Sequence, residues 1–404
     1  MGGASLVAAC EGPQRLASLP DALRQRGGFA GLPDDCRVVL DGSDDRLIGR
    51  IALEALRREV EHARRTGATL GPATFLAISG GGENGAYGAG LLTAWTQLGT
   101  RPVFKTVTGV STGALTAPFA FLGSEYDPQL EQVYTRISAD DVLTSRGLLT
   151  ALFSDSLYDS TPLLKTIRGF VTPDFLAAIA REYAENGRLL MIATTNLDVP
   201  AAILWNMGAI AASGMARAAD LFSRILLASA SIPGAFPPVM IDIETGGQRY
   251  EEMHVDGGTT AQVVLYPPSF SGDDLARDLP REDLPLAQVA ARRPRQLYVI
   301  RNGTLAPSNE TTARSTMKIA GRAISTLIQY QGIGDLYRLY LLCKRDGIDY
   351  NVSWMPASFT EKLKGPFDQA YMQKLYAVGR AEMLDGRAWA KLPPGFDPRP
   401  FQDI

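Results

Sequence analysis

The chain has 404 residues, of which 46% are apolar and 21% are charged, and its formal net charge is −3. This composition is typical of a globular protein with a sizeable core, organised as one large domain with extensions or as two domains. The sequence has no basic stripe of the kind that binds nucleic acid. It also has no apolar run that approaches the ~18 residues needed for a membrane-spanning helix.

The three cysteines, Cys10, Cys36 and Cys343, are odd in number and far apart, which predicts neither a disulfide framework nor a zinc site. We expect Cys36 and Cys343 to be small buried residues. Residues 6–10, LVAAC, resemble the cleavage box of a bacterial lipoprotein signal, but no Lys or Arg precedes them. Two locations stay open: the bacterial cell envelope, through a lipidated Cys10, and the cytoplasm.

Residues 1–72 form a predicted N-terminal segment with a short strand at 37–40 and an amphipathic helix at 44–65. From residue 73 onward, apolar strands alternate with helices. The first strands are predicted at 74–79, 103–110 and 189–195, and the first helices at 86–98, 112–122 and 175–185. This alternation predicts an α/β fold with a parallel sheet and helices on its faces, in a core domain over residues 73–305.

The second half of the core is predicted to add further strands and a long loop. These are an apolar strand at 201–210, a helix at 216–228, a hairpin at 239–255, a surface loop at 266–294 and a strand at 296–301. Residues 306–404 form a mainly helical C-terminal region. It has one or two helices within 311–345, a short strand at 350–354 and a helix at 368–384.

Two glycine-rich turns follow the first two core strands, and the rest of the site depends on them. Gly80, Gly81 and Gly82 follow one strand, and the second leads into G-V-S-T-G around Ser111. A G-x-S-x-G motif is weak alone, but here a strand precedes the serine and a helix follows it, which favours a serine exposed on a sharp turn. A tight turn with a capping serine is the simpler explanation of the same pattern.

The glycine loop also matches G-x-G-x-x-G, which is typical of dinucleotide-binding sites. Such a site needs an acidic residue about 20 positions further on, at the end of the next strand, and no acid stands there. The same backbone N–H groups could instead hold the oxyanion of an acyl-transfer reaction.

A nucleophilic serine needs a base, and the residues alone leave two choices. His254 is one of only two histidines and precedes Asp256 by two residues, so both are expected on the same side of a strand. Asp256 is the other choice. Aspartate is a weak base at its ordinary pKa of ~3.9, so it needs favourable geometry and shielding from water.

Four blocks in order make residues of about 74–264 resemble the patatin-like phospholipase family. The blocks are the glycine loop ending at Gly85, the elbow from Gly109 to Gly113, residues 228–238, and Asp256-Gly257-Gly258. The resemblance implies a three-layer α/β/α fold, with a mostly parallel sheet sandwiched by helices and a helical C-terminal extension. It implies a Ser111–Asp256 dyad, with the backbone of Gly80, Gly81 and Gly82 as the oxyanion hole, and no metal or other cofactor.

By this resemblance the chain is expected to be a serine hydrolase of phospholipid, lysophospholipid or a simpler acyl ester, with peripheral membrane contact allowed and no nucleic-acid partner. One residue departs from the family pattern, since Asn84 stands where Arg or Lys usually precedes Gly85. This departure motivates an alternative, an envelope-associated binding or scaffold protein with little turnover. The lipid, the acyl position and the oligomeric state are not indicated by the sequence.

Overall fold

A computed structural model describes residues 15–20, 23, 33–145, 156–270, 281–307, 309 and 311–397. Cys10 lies outside the described residues. The strands are β1 (Arg37–Val39), β2 (Ala73–Ile78), β3 (Thr106–Val110), β4 (Thr144–Ser145), β5 (Tyr158–Asp159), β6 (Leu189–Asn196), β7 (Ala201–Asn206), β8 (Val239–Thr245), β9 (Gln248–Asp256), β10 (Arg295–Arg301) and β11 (Asp349–Trp354).

Helices connect these strands and cover the sheet. They are α1 (Asp45–Thr66), α2 (Gly85–Gln97), α3 (Thr112–Leu122), α4 (Asp127–Thr135), α5 (Thr161–Phe170), α6 (Pro173–Ala184), α7 (Met207–Ala212), α8 (Ala218–Ser229), α9 (Leu284–Arg292), α10 (Thr316–Asp346) and α11 (Gln369–Leu384). A short 3₁₀ turn, Gly82–Asn84, precedes α2.

One central mixed sheet organises the described part of the chain. Its strands run in the order β1-β7-β6-β3-β2-β10-β11, and β9 pairs with both β6 and β8. The five neighbours from β6 to β11 are parallel, whereas β1, β7, β8 and β9 pair in antiparallel fashion. The predicted fold class is therefore confirmed: the sheet is mostly parallel and helices flank it. The division into three domains stays a prediction.

The apolar runs read from the sequence are buried strands because both faces of a parallel sheet are covered. Every residue of β6 is buried, as are five of the six residues of β2. The C-terminal region contributes β11 to the same sheet, next to β10. Cys36 and Cys343 are buried free cysteines, as predicted.

Two sequence predictions were wrong in this part of the fold. The apolar run at 201–210 is not one strand, because the Asn206 side chain accepts a hydrogen bond from the backbone of Ala209 and caps α7. The predicted loop at 266–294 contains α9, whose Pro285 stands in the first turn, where the missing N–H costs nothing. The predicted region 311–345 is one continuous helix, α10.

Within the described residues, none of the helices combines the length and the apolar character needed to cross a bilayer.

Candidate active site

Ser111 and Asp256 come together because β3 and β9 lie end to end along one edge of β6. β3 pairs with β6 up to Val110, which stands opposite Ala193. β9 then approaches along β6 from the other direction, and its last residue, Asp256, stands opposite Thr194. Ser111 follows Val110 directly, so the two strand ends bring the serine and the carboxylate to the same place.

Ser111 sits on a strained turn between β3 and α3. Its φ of 55° and ψ of −125° are unusual for a residue other than glycine. The N–H of Ser111 donates to the Ser229 hydroxyl at 3.0 Å, and that hydroxyl donates to the Ala193 carbonyl at 2.7 Å. These bonds hold the turn in place, and the N-terminus of α3 adds partial positive charge beside the hydroxyl.

Asp256 is a buried carboxyl group with few partners. The N–H of Gly258 donates to its Oδ1 at 2.7 Å, and the backbone of Asp256 is held by the Ser231 carbonyl at 2.9 Å. Burial raises its pKa from 3.8 to about 7, although hydrogen bonding from Ser111 and Gly258 opposes the increase. Among the described residues, Asp256 Oδ2 is buried and has no partner of ordinary hydrogen-bond geometry.

The glycine loop lies beside this pair because β2 and β3 are parallel neighbours and Ile78 stands opposite Gly109. Gly81 has φ of 154° and Gly82 has φ of 55°. A Cβ atom on Gly81 would also collide with the Asn302 carbonyl. The Gly80 N–H donates to the Gln262 carbonyl at 3.3 Å, whereas the N–H groups of Gly81 and Gly82 have no backbone acceptor in the described part of the chain.

The remaining glycines of the family motifs all lie where the glycine backbone is in close contact with neighbouring atoms. A Cβ atom on any of them would collide with a neighbour; they are Gly85, Gly109, Gly113, Gly257 and Gly258. At Gly113 the collision would be with the carbonyl of Ile78, so the absence of a side chain lets α3 start against β2.

Glu83 and Asn84 connect the glycine loop to the C-terminal region. Asn84 Oδ1 accepts a hydrogen bond of 2.7 Å from the Tyr371 hydroxyl, at the start of α11. Glu83 Oε1 accepts one of 3.0 Å from the backbone of Phe367, a residue held at φ of 51°. Asn84, at the position where the family usually has a cation, is therefore a structural contact in this chain.

His254, the other candidate base, is buried and hydrogen-bonded to residues other than Ser111. Its Nε2 lies 3.1 Å from Glu252, and its Nδ1 lies 2.9 Å from the Thr194 hydroxyl. Burial lowers its pKa below 6.5 despite the hydrogen bond to Glu252. Both ring nitrogens are occupied, which contradicts the alternative in which His254 activates Ser111.

An apolar pocket opens beside Ser111 and lies between α3, α5, α6 and α8. Among the residues that line it are Leu115, Phe119, Leu163, Ile167, Phe175 and Phe236. The lining of this pocket offers few polar groups away from Ser111, as is usual for a site that binds an apolar ligand. In the part of the chain that is described, no three His, Cys, Asp or Glu side chains are grouped as a metal site requires.

Several residues that support the site were missed by sequence reasoning. Asn302, just after β10, binds both the hydroxyl and the carbonyl of Ser79 and accepts from the Gly88 N–H at 3.1 Å. Gln262 donates to the Gly258 carbonyl at 2.9 Å. Ser229 and Ser231 belong to the block 228–238, so the sequence indicated that this segment matters. It did not indicate that these serines contact Ser111 and Asp256.

Comparison with known proteins identifies a domain within this chain. Residues 76–267 match the family model for patatin-like phospholipase, which supports a general function in lipid hydrolysis. None of the curated proteins compared with the chain matches it.

Among solved structures, similar chains include VipD from Legionella pneumophila, at 12% identity and a TM-score of 0.37, covering 79% of this chain and 68% of VipD. Human GIVD cytosolic phospholipase A2 is 11% identical, with a TM-score of 0.27. The alignment covers 81% of this chain and 52% of the phospholipase chain. The finding that decides the family resemblance is the match of residues 76–267 of this chain to the patatin-like phospholipase family model.

Proposed function

We propose that the protein is a serine lipid acyl hydrolase that uses a Ser111–Asp256 dyad. The observation that carries the proposal is the position of Ser111, on a strained turn between the buried Asp256 carboxyl and an apolar pocket. A pKa of about 7 for Asp256 supports it, because a general base works best when its pKa is near the working pH.

In this mechanism the Ser111 oxygen attacks the ester carbonyl carbon while Asp256 accepts the hydroxyl proton. The N–H groups of Gly81 and Gly82 bind the developing oxyanion, and each such donor contributes about 3 kcal/mol to transition-state stabilisation. Collapse of the tetrahedral intermediate breaks the ester bond, and Asp256 returns the proton to the departing alcohol oxygen. Water, deprotonated by Asp256, then attacks the acyl carbon, the bond to the Ser111 oxygen breaks as the carboxylic acid leaves, and Asp256 returns the proton to Ser111.

The pocket suggests the class of substrate. Its lining is apolar and it opens at Ser111, so we infer that it holds the acyl chain of the ester. The substrate would be phospholipid, lysophospholipid or a simpler acyl ester, with the polar part of the molecule outside the pocket.

Ser111→Ala and Asp256→Asn test the dyad directly. We expect each to lower hydrolysis of short and long acyl esters by about a thousandfold or more, since the two groups act as one unit. Labelling by a fluorophosphonate probe should also disappear in Ser111→Ala. Ser124→Ala, at an exposed serine, is the control and should keep both labelling and turnover.

Circular dichroism should first establish that each variant is folded. Wild-type turnover in folded Asp256→Asn would show that another group is the base. A wild-type protein that the probe does not label at Ser111 would favour the alternative of a binding or scaffold protein.

A further inference from the structure

The first half of α10 packs against little of the described protein. Large apolar side chains on this half are exposed, with Ile319 at 55%, Leu327 at 69% and Tyr330 at 60% of full exposure. By contrast, Leu336, Leu339 and Cys343 in the second half are almost completely buried. Residues 316–330 therefore form a largely exposed stretch of helix about 22 Å long, at 1.5 Å per residue, and Gln329 near its end donates to the carbonyls of Leu305 and Ala306. We refer to these residues as the exposed segment.

The exposed segment has one apolar face and one polar face. At helical spacing, the apolar residues fall on one half of the helix; they are Ile319, Ala320, Ala323, Ile324, Leu327 and Tyr330. The opposite half carries Lys318, Arg322, Ser325 and Gln329. An apolar face of this size on the surface of a protein usually marks a binding surface.

The charge on this segment is of one sign. Arg314, Lys318 and Arg322 are cationic, and no Asp or Glu occurs between residues 311 and 334, although the whole chain has a net charge of −3. A second copy of the chain would bring like charges together and so is disfavoured as the partner. A convex helix offers no groove for a peptide. A flat anionic surface with an apolar interior complements both faces, because Lys and Arg can reach the headgroups while the apolar residues insert.

The anchored half of α10 joins the exposed segment to the candidate active site. Gln331 donates to the Thr260 carbonyl at 2.6 Å. The Asp335 carboxylate accepts from the N–H groups of Gln262, at 2.6 Å, and Val263, at 3.2 Å. The helix thus leaves the domain at the segment that follows Asp256.

We propose that the exposed segment of α10 is a membrane-docking helix that binds the surface of an anionic lipid bilayer. The apolar face inserts at the level of the headgroups, and the cationic Lys318 contacts lipid phosphates. Docking would place the segment that follows Asp256 close to the lipid surface. This binding does not depend on hydrolysis, so it can be measured on its own.

Sedimentation with vesicles tests the proposal, using the full chain with Ser111→Ala so that the lipid is not consumed. We expect binding to vesicles of phosphatidylcholine with about one third phosphatidylglycerol, and weaker binding to phosphatidylcholine alone. The double variant Ile319→Ser/Leu327→Ser should bind at least about tenfold more weakly, because two inserted side chains are lost. Lys318→Gln should weaken binding to the anionic vesicles, and raising the salt concentration should do the same.

Matched controls lie on the same helix. Leu341→Ser alters a leucine that is 66% exposed but outside the segment, and Lys344→Gln alters an exposed lysine there. Both should bind vesicles as Ser111→Ala alone does. The proposal is overturned if neither vesicle binds, or if Ile319→Ser/Leu327→Ser binds as well as its control. It is also overturned if light scattering shows a dimer that this double variant converts to a monomer, since a second copy would then cover the face.

Discussion

The pKa of Asp256 makes the proposed mechanism dependent on pH. Burial holds the pKa at about 7, so the carboxyl is protonated in acid and cannot accept the Ser111 proton there. We expect kcat/KM to rise about tenfold per pH unit below 7 and to level off above it. A profile for a soluble short-chain ester measures this without a lipid surface. An inflection near 4 would show that the carboxyl is not desolvated in the free enzyme.

The raised pKa of Asp256 should increase activity as the pH rises but decrease the stability of the fold. Measuring stability is therefore an independent check on the pKa. Since the folded-state pKa lies above the ordinary 3.8, the contribution of this group is fully favourable below pH 3.8 and is lost as the pH rises through about 7. Asp256→Asn removes the buried charge. It should therefore be more stable than wild type at pH 8, by on the order of 4 kcal/mol, and similar to wild type at pH 4. Thermal unfolding at the two pH values measures the difference.

Individual site residues could be proposed from the sequence where the signal was local. Ser111 and the glycine loop stood out as candidates because their turns follow directly from the strands that precede them. The choice between His254 and Asp256 was not local, because it depends on which part of β9 meets the end of β3. Asn302 was missed for the same reason: it supports the loop through contacts to Ser79 and Gly88 that are more than 200 positions away.

At the scale of elements, α5 and α6 form one wall of the apolar pocket. Leu163 of α5 borders the pocket, and Leu164 on the same helix does not. Leu163→Trp would place additional volume in the space proposed for the acyl chain. We expect it to reduce hydrolysis of long-chain esters by about tenfold or more and to change short-chain turnover little, as measured over a series of p-nitrophenyl esters.

Leu164→Trp is the matched control, since it adds the same volume to the same helix. Overpacking of this kind costs typically 1–3 kcal/mol, so both variants should lose some stability. Only Leu163→Trp should alter the dependence on chain length. An equal effect of the two variants at every chain length would mean that the pocket does not hold the acyl chain.

Elements were predicted best where the periodicity was strong and the end signals were clear. α3 was predicted at its observed bounds, and the hairpin of β8 and β9 follows from its Gly-Gly turn. The run at 201–210 shows the limit of periodicity as a predictor. A segment that is buried on all sides has a continuous apolar sequence whether it forms a strand or a helix. The cap formed by Asn206 decides where β7 ends, and its effect depends on a side-chain hydrogen bond.

At the scale of the whole molecule, the N-terminal segment is tied into the sheet that carries the site. β1 pairs with β7, and Arg37 of β1 binds both carboxylate oxygens of Glu252, at 2.6 and 3.2 Å. A chain of hydrogen bonds continues from Trp205 through Thr194 and His254 to Glu252. Burial acts to raise the pKa of Glu252, but His254 and Arg37 outweigh it and lower the pKa to about 2.

This network predicts that the N-terminal segment stabilises the whole domain. Arg37→Ala would leave Glu252, which is only 2% exposed, as a buried carboxylate without its cation, at a cost of about 3–5 kcal/mol. Thermal and urea unfolding should show the loss, whereas Arg50→Ala, at an exposed position of α1, should change stability by less than about 0.5 kcal/mol. Adding Glu252→Gln to Arg37→Ala should recover part of the stability, because the unpaired charge is then gone. If Arg37→Ala unfolds like Arg50→Ala, the ion pair between the N-terminal strand and Glu252 does not stabilise the domain.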